Sequence, residues 1–476
     1  MPMPDTEARR RGWALANACC LTFMATIDGS IVNIALPEIA RSFGAGIGSV
    51  QWVVTSYLIA ISSTLLVWGR LADIYGRRRF FAAGLAIFTL GSLACALAGS
   101  LAALVAARVL QALGAAMGMA LVQGIVTSIF PPADRGKALG IVGAVVSIGS
   151  LLGPSLGGIL VRAAGWRSIF LVNLPVGAAA VALTFAVMPE SKGTDEKRFD
   201  LRGAFLLALA VSGLFAALLM AQAGHLPAPA LAAALAAVAA AALAFVRVER
   251  RHPAPLLDGS LFANRVFSSG LVASLLSYMA MFGYIFIMPF YLQSVRGLDI
   301  LRSGLLMSLY PLVTGLLAPL AGSLSDRITY KPLTIFGLAL TALVLASMTS
   351  FGRDTPLPLI GLCVSLLGVG GAAFTSPNTS SVMGSAPRDR LGLAGSISAF
   401  FRNLGMVAGT SAAVFVFSIA TNSGSGGASG GAMDAELFLR GLRLVLAAGA
   451  AMALAGSAVN AGRVRRDPGA AGRPPR

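Results

Sequence analysis

Long apolar stretches alternate with short polar segments along the whole chain. Each stretch is close to the roughly 20 residues that an α-helix needs to cross a bilayer. This pattern predicts an all-α membrane protein with fourteen transmembrane helices. The predicted helices cover, in chain order, about residues 13–36, 51–70, 79–98, 101–122, 136–160, 167–188, 201–221, 228–247, 267–291, 303–324, 331–350, 358–380, 392–418 and 439–461.

Composition supports a membrane protein and argues against a soluble one. Hydrophobic residues make up 57% of the 476 residues and charged residues only 12%, whereas soluble domains carry about 25% charged residues. The net charge of +17 is then best explained by cationic cytoplasmic loops, and no nucleic-acid partner is predicted. The apolar run after Arg9, Arg10 and Arg11 has no signal-peptide cleavage site. We predict a multi-pass protein of the inner (cytoplasmic) membrane, with both termini in the cytoplasm.

The sequence offers no catalytic or cofactor chemistry. Its four cysteines lie in apolar stretches without zinc-ligand spacing, and its two histidines fall in predicted loops. No G-x-x-x-x-G-K-[ST] nucleotide loop is present. We therefore predict that the protein is not an enzyme and binds no metal or cofactor.

One short motif occurs twice and divides the chain. Residues 69–73 end the second predicted helix and residues 322–326 end the tenth, and each follows a proline, Pro37 or Pro289, that is predicted to end the preceding odd-numbered helix. This indicates two six-helix halves in parallel repeat, with helices 7 and 8 as an insert. The predicted units are a cytoplasmic arm (1–12), an N-terminal half (13–188), a linker (189–200), a two-helix insert (201–247), a C-terminal half (248–461) and a basic cytoplasmic tail (462–476).

The segment 69–79 reads Gly-Arg-Leu-Ala-Asp-Ile-Tyr-Gly-Arg-Arg-Arg. It resembles the cytoplasmic-loop signature of the major facilitator superfamily, and the motifs below resemble its fourteen-helix drug:proton antiporter branch. An aspartate here can accept hydrogen bonds from an arginine and from a helix N-terminus, which would lock the cytoplasmic side. A plain positive-inside loop is the alternative. The predicted gating residues are Gly69, Asp73, Gly76, Arg77, Asp326 and Arg327.

A glycine-rich segment of the fifth predicted helix, residues 149–158, resembles the antiporter signature of drug exporters. Glycines permit close helix packing, and a proline bends a helix and frees a carbonyl. Ordinary packing of small residues is the alternative. The residues of this antiporter motif are Gly149, Gly153, Pro154, Gly157 and Gly158.

Three polar residues are predicted to couple transport to protons: Asp28, Arg108 and Gln111. Asp28 is the acid placed deepest within a predicted helix, in a segment that resembles the first-helix signature of the branch. Burial favours the neutral form of an isolated carboxyl group, so Asp28 is predicted to exchange protons; the alternative is a structural acid paired to an arginine. Arg108 and Gln111 lie in a motif whose arginine the family associates with proton transfer. Since arginine does not readily release a proton, Arg108 is expected to tune a nearby acid.

A substrate pocket is expected at mid-membrane between the halves. Thr26, Ser30 and Asn33 form a polar stripe on the first helix, with Asp28 nearly opposite. Arg402 is a second cation within a predicted helix, which either pairs with an acid or contacts an anionic substrate. Methionine and aromatic side chains suit an adaptable pocket, although they serve equally as core or lipid-facing residues. The further candidates are Gln123, Met279, Phe282, Tyr284 and Phe286.

The resemblance implies a proton-driven exporter of small amphiphilic or apolar molecules that works by alternating access. The expected partners are a small-molecule substrate, protons and the lipid bilayer, with a periplasmic adaptor protein as a further candidate. A proton symporter that imports a nutrient is the second transport hypothesis, distinguished by the direction of pH-driven flux. A membrane receptor or enzyme is the hypothesis from another class, and no cluster of His, Asp and Glu on a helix supports it.

Overall fold

A computed structural model describes residues 5–188, 200–222, 227–249, 259–387, 390–421 and 434–462. Within these ranges the regular structure is entirely helical. The linker residues 189–199 and the tail residues 463–476 lie outside them, so the predicted division of the chain into six units stays a prediction. Helix α1 begins at Asp5, within the arm predicted at 1–12.

The N-terminal half and the insert supply the first ten helices. They are α1 (Asp5–Phe43), α2 (Ile47–Val50), α3 (Trp52–Tyr75), α4 (Arg77–Leu97), α5 (Leu101–Ile129), α6 (Pro132–Ala164), α7 (Ser168–Leu171), α8 (Asn173–Val187), α9 (Leu201–Gln222) and α10 (Ala228–Glu249).

The C-terminal half supplies the rest. Its helices are α11 (Gly259–Phe262), α12 (Arg265–Phe290), α13 (Ile300–Ile328), α14 (Tyr330–Ser347), α15 (Leu357–Gly384), α16 (Leu391–Ala420) and α17 (Ala435–Ala461). A π-helical turn, Tyr291–Val295, extends α12.

Twelve helices in the described part of the chain are long and apolar enough to cross a membrane. The predicted count of fourteen is therefore not supported by length and composition. Two long helices fall outside the twelve. They are α3, with 24 residues, and α9, in which Arg202–Leu218 is found as a shorter apolar helix.

The prolines of the repeat do not end helices, which corrects the sequence prediction. Pro37 lies inside α1, which continues to Phe43, and Pro289 lies inside α12 just before the π-helical turn. A proline removes one N–H and crowds the preceding turn, but neighbouring helices can satisfy the freed backbone groups in a membrane protein. Here Gln293 donates to the carbonyl of Ile34 in the affected turn, with an Nε2–O distance of 2.9 Å.

Helices of the two halves pack mainly within their own half. In the N-terminal half α1 packs on α6 and α5, and α4 on α5; in the C-terminal half α12 packs on α16, and α13 on α15. Contacts between the halves run mainly through α6 with α13 and α3 with α16. The insert is a hairpin of α9 and α10, and α9 also contacts α3. This arrangement puts α1, α3, α4 and α5 around the candidate site, and it brings α6 against α13 between the halves.

Candidate coupling site and its supporting contacts

A buried ion pair joins α1 to α5. The Nη1 atom of Arg108 lies 2.5 Å from Oδ2 of Asp28, and the two side chains are 1% and 0% exposed. Gln111 stands one helical turn after Arg108, on the same face of α5, and its Nε2 donates to Oδ1 of Asp28 at 2.8 Å. The structure thus brings together the three residues predicted to couple protons, and both carboxylate oxygens of Asp28 are hydrogen-bonded.

Arg108 has further acceptors besides the carboxylate. Its Nε donates to the carbonyl of Val53 at 3.0 Å, and its Nη1 donates to Oε1 of Gln111 at 2.5 Å. The amide nitrogen of Gln111 also donates to Oγ of Ser92, at 2.8 Å. A buried ion pair stabilises a protein only when such extra bonds offset the cost of removing both charges from water. The network of α3, α4 and α5 provides those bonds.

Two aromatic rings complete the surroundings of Arg108. Its Cζ lies 4.1 Å from the ring centroid of Tyr57 and 5.8 Å from that of Phe170. A guanidinium within about 6 Å of an aromatic face is attracted by the ring quadrupole. Tyr57 and Ser92 could not be predicted as site residues, because a tyrosine and a serine in apolar stretches carry no local signal of a site.

A close approach of α4 to α5 fixes the position of Gln111. Gly91 lies directly against its backbone, and a Cβ at this glycine would stand 2.6 Å from the Gln111 Cα. Such a distance is impossible for a real side chain, so only glycine lets the two helices meet here. The close approach of α4 and α5 at Gly91 therefore helps to fix the position from which the Gln111 amide contacts Asp28.

The antiporter motif in α6 packs against both halves. Gly149 and Gly153 lie against Thr26 and Ser30 of α1, and a side chain at Gly153 would overlap Ser30. Gly157 lies against the side chains of Ile31 and Ile34.

On its other side, the motif meets α13 of the C-terminal half. A Cβ at Gly158 would lie 2.8 Å from Cα of Leu301, and a side chain at Gly304 would overlap the carbonyl of Pro154. Ser155 and Ser308 share a hydrogen bond of 2.7 Å beside these glycines. The last turns of α6 and the first turns of α13 therefore form one joint between the halves.

The polar stripe of α1 is largely satisfied by its own helix. Thr26 donates to the carbonyl of Thr22 at 2.7 Å, Ser30 to that of Thr26 at 3.0 Å, and the amide of Asn33 to that of Gly29 at 2.8 Å. Hydroxyl groups in helices commonly make this bond to the carbonyl four residues back. Because Thr26 and Ser30 also pack on α6, part of the stripe serves helix packing.

The other predicted pocket residues lie in different surroundings. The backbone of Met279 packs on Gly409, and Phe282 is partly buried. Tyr284 and Phe286 are both 1% exposed, and the Tyr284 hydroxyl donates to Sδ of Met307 at 3.8 Å.

Two more pocket candidates stand apart from that group. Arg402 is partly buried in α16, and the side chain of Gln123 lies outside the described part. The substrate pocket that these residues are predicted to line therefore stays a prediction.

The predicted cytoplasmic gate is described in part. Gly76 joins α3 to α4 with φ +101°, in the region that favours glycine. Arg77 donates from Nη1 to the carbonyl of Gly124 at 2.7 Å. Gly69 lies near Ala120, and a Cβ added at Gly69 would stand 3.9 Å from the Cβ of Ala120.

The remaining gate residues are only partly described. Arg327 is exposed. The side chains of Asp73 and Asp326 lie outside the described part, so the lock that they are predicted to form stays a prediction.

Comparison with known proteins points to one family. The model of the Major Facilitator Superfamily matches residues 18–410. The riboflavin transporter RibZ of Clostridioides difficile (strain 630) is 36% identical over 403 residues, which cover 84% of this chain and 87% of that protein. The multidrug resistance protein Stp of Mycobacterium tuberculosis (strain CDC 1551 / Oshkosh) is 37% identical over 390 residues, covering 81% and 72%.

A third relative and a solved structure extend the comparison. The tetracenomycin C resistance and export protein of Streptomyces glaucescens is 32% identical over 421 residues, covering 86% of this chain and 76% of that protein. The chain also resembles the partially occluded, inward-open xylose transporter XylE of E. coli, with a TM-score of 0.64, 15% identity, and coverage of 97% and 99%. At that identity the likeness concerns the fold alone.

Proposed function

Because the chain belongs to the Major Facilitator Superfamily and is therefore a membrane transporter and not an enzyme, we propose that it exports small amphiphilic or apolar molecules in exchange for protons. The buried pair of Asp28 and Arg108 is the observation that carries this proposal. An acid within a transmembrane helix is energetically costly, and such residues are rare and usually mark a functional site. Asp28 supplies the carboxyl group of this network, and it is the group that we propose carries the proton.

The pair suggests how a proton and a substrate share one cycle. In the paired state Asp28 is ionised and held by Arg108. When a proton binds Asp28, the attraction to Arg108 is lost and α1 is freed from α5. Because α1 also packs on the antiporter motif of α6, a change at Asp28 reaches the joint between the halves. One charge that crosses 100 mV supplies about 2.3 kcal/mol, which is enough for a concentration ratio above tenfold.

Two lines support export. The antiporter motif resembles that of exporters, and two of the relatives are named as a multidrug resistance protein and as a resistance and export protein. A second candidate rests on the relative named as a riboflavin transporter: transport of a flavin-like nutrient, in which the same network would drive proton symport. The two differ in the direction of flux.

We further propose that α3 and α9 cross the membrane as well, which would give fourteen spans. They contain 24 and 22 residues, enough to cross a hydrocarbon core of about 30 Å at 1.5 Å per residue. Glycosylation or cysteine labelling of the loops on either side of α9 and α10 checks this. If α9 does not cross, the C-terminus lies on the side opposite to the predicted one.

The test of function uses purified protein in liposomes with an imposed pH gradient, with riboflavin and ethidium as probes. The wild type should concentrate at least one probe against its gradient, and the direction of the pH gradient that drives uptake separates antiport from symport. Asp28→Asn should lose gradient-driven transport and keep downhill exchange. Full pH-driven transport by this variant, or dependence of the wild type on sodium or ATP, would contradict the proposal.

A further inference from the structure

The ring of Tyr57 lies in the buried core and faces the guanidinium of Arg108. Tyr57 is 3% exposed in α3, and its ring centroid lies 4.1 Å from the guanidinium carbon. A buried tyrosine hydroxyl usually finds a hydrogen-bond partner, yet the hydroxyl of Tyr57 has none among the described residues. The contact to the network is therefore made by the face of the ring and not by the hydroxyl.

We propose that Tyr57 is a positioning residue that holds Arg108 while Asp28 carries a proton. The inference rests on the proposed function, because it matters only if Asp28 binds protons. Once Asp28 is neutral, Arg108 keeps its charge, since arginine does not lose its proton in proteins. The cation then needs another stabilising contact inside the membrane. The ring of Tyr57 provides that contact, together with the ring of Phe170 and the carbonyl of Val53.

The ring stabilises the protonated state more than the ionised one. While Asp28 is ionised, the short ion pair dictates where the guanidinium lies. When the carboxyl is neutral, the guanidinium loses its counter-charge, and the face of the ring becomes a main group that stabilises the cation. The ring therefore favours proton uptake by Asp28. Among the described residues, the charged and titratable groups that interact with Asp28 are Arg108, Tyr57 and Cys95. These three groups are the ones that bear on its protonation.

The experiment follows the protonation of Asp28 directly. An infrared titration of purified wild-type protein between about pH 5 and 9 should show a protonated carboxyl band that is missing from Asp28→Asn. In Tyr57→Leu the midpoint of this band should move down by about half a pH unit, the size expected for losing a cation–π contact. Tyr57→Phe keeps the ring and should leave the midpoint unchanged.

A second comparison guards against misfolding of the leucine variant. Phenylalanine at position 57 is compared with a ring-fluorinated phenylalanine, which keeps the shape and weakens the negative face of the ring. Fluorination should move the midpoint in the same direction as leucine does.

Three outcomes are decisive. An unchanged midpoint in both Tyr57→Leu and the fluorinated variant overturns the inference about Tyr57. A shift in Tyr57→Phe as large as in Tyr57→Leu also overturns it, because the hydroxyl would then be the active group. The absence of an Asp28 band from the wild type contradicts the proposed function instead, so the two failures are distinguishable.

Discussion

At the scale of single residues, the ion pair of Asp28 and Arg108 is stable only as a pair. Each charge has left water, and each relies on the other and on neutral dipoles from Gln111 and the Val53 carbonyl. The two partners differ in how they respond to loss of the other. An aspartate without its arginine can take up a proton and become neutral, whereas an arginine without its aspartate keeps its charge.

This difference predicts a pH dependence of stability in the single variants. Asp28→Asn should lower the free energy of unfolding by about 3–5 kcal/mol at alkaline pH, because it leaves Arg108 as a buried unpaired charge. Arg108→Gln should cost a similar amount at alkaline pH and less at acidic pH, where Asp28 becomes protonated.

Thermal unfolding in detergent across a pH series measures both effects. The double variant is the matched control, and it should be more stable than the sum of the two single losses implies. Strict additivity of the two losses would mean that the pair does not interact energetically.

At the scale of helices, glycines decide which faces meet. Gly153 of α6 touches Ser30 of α1, whereas Gly143 on the same helix has no atom within 4 Å of an added Cβ. The two positions share one helix and one residue type and differ in their surroundings.

We expect Gly153→Ala to destabilise the protein by about 1–3 kcal/mol through overpacking. Gly143→Ala should be neutral or stabilise by up to about 1 kcal/mol, since alanine favours a helix. Thermal unfolding of Gly153→Ala and Gly143→Ala, measured side by side, checks both predictions. Equal effects would remove the argument for a close contact between α1 and α6.

The turns that join α3 to α4 and α13 to α14 preserve the internal repeat in their backbone. Gly76 and Thr329 stand at equivalent places after the repeated motif, with φ values of +101° and +75°. Positive φ suits glycine and strains a β-branched residue. The C-terminal half thus carries strain that the N-terminal half avoids.

Substitutions at these two positions should have opposite effects on stability. Thr329→Gly should stabilise the protein by about 1 kcal/mol through release of strain, and Gly76→Ala should destabilise it by about the same amount. Unfolding temperatures of both variants measure this. If Thr329→Gly lowers stability, a contact of the threonine side chain outweighs its backbone strain.

Helices were the easiest elements to predict, and their partners were the hardest. Charged residues in apolar stretches are rare enough that Asp28 and Arg108 stand out in the sequence. That they meet depends on the packing of α1 on α5, which no local pattern encodes. Pro37 was misplaced because proline breaks helices in water, whereas a bilayer and neighbouring helices keep α1 intact beyond it. Tyr57 gave no signal because its role depends entirely on its neighbour.

At the scale of the whole molecule, the halves are joined where α6 ends and α13 begins. The hydrogen bond from Gln293 to the carbonyl of Ile34 and that between Ser155 and Ser308 both cross between the halves. Alternating access requires these bonds to break when the opposite side closes. Under the proposed mechanism, these two hydrogen bonds therefore stabilise the state in which this joint is closed relative to the state in which it is open.

Removal of the Gln293 bond should favour opening at this joint. In a background without the four native cysteines, Ser155→Cys should react with a membrane-impermeant thiol reagent several-fold faster when Gln293→Leu is added. Gln51→Leu is the matched control, because the amide of Gln51 bonds to Gly48 within its own half, and it should leave the rate unchanged. An equal rise in the labelling rate with Gln293→Leu and with Gln51→Leu would indicate general loosening of the fold and not opening at this joint.

The joint of Gly158 with Leu301 and of Gly304 with Pro154 brings backbone against backbone. Such a contact leaves no gap for a file of water molecules, and a proton cannot hop where no such file exists. We therefore expect this joint to exclude water, and with it any leakage of protons, at the point where α6 and α13 meet.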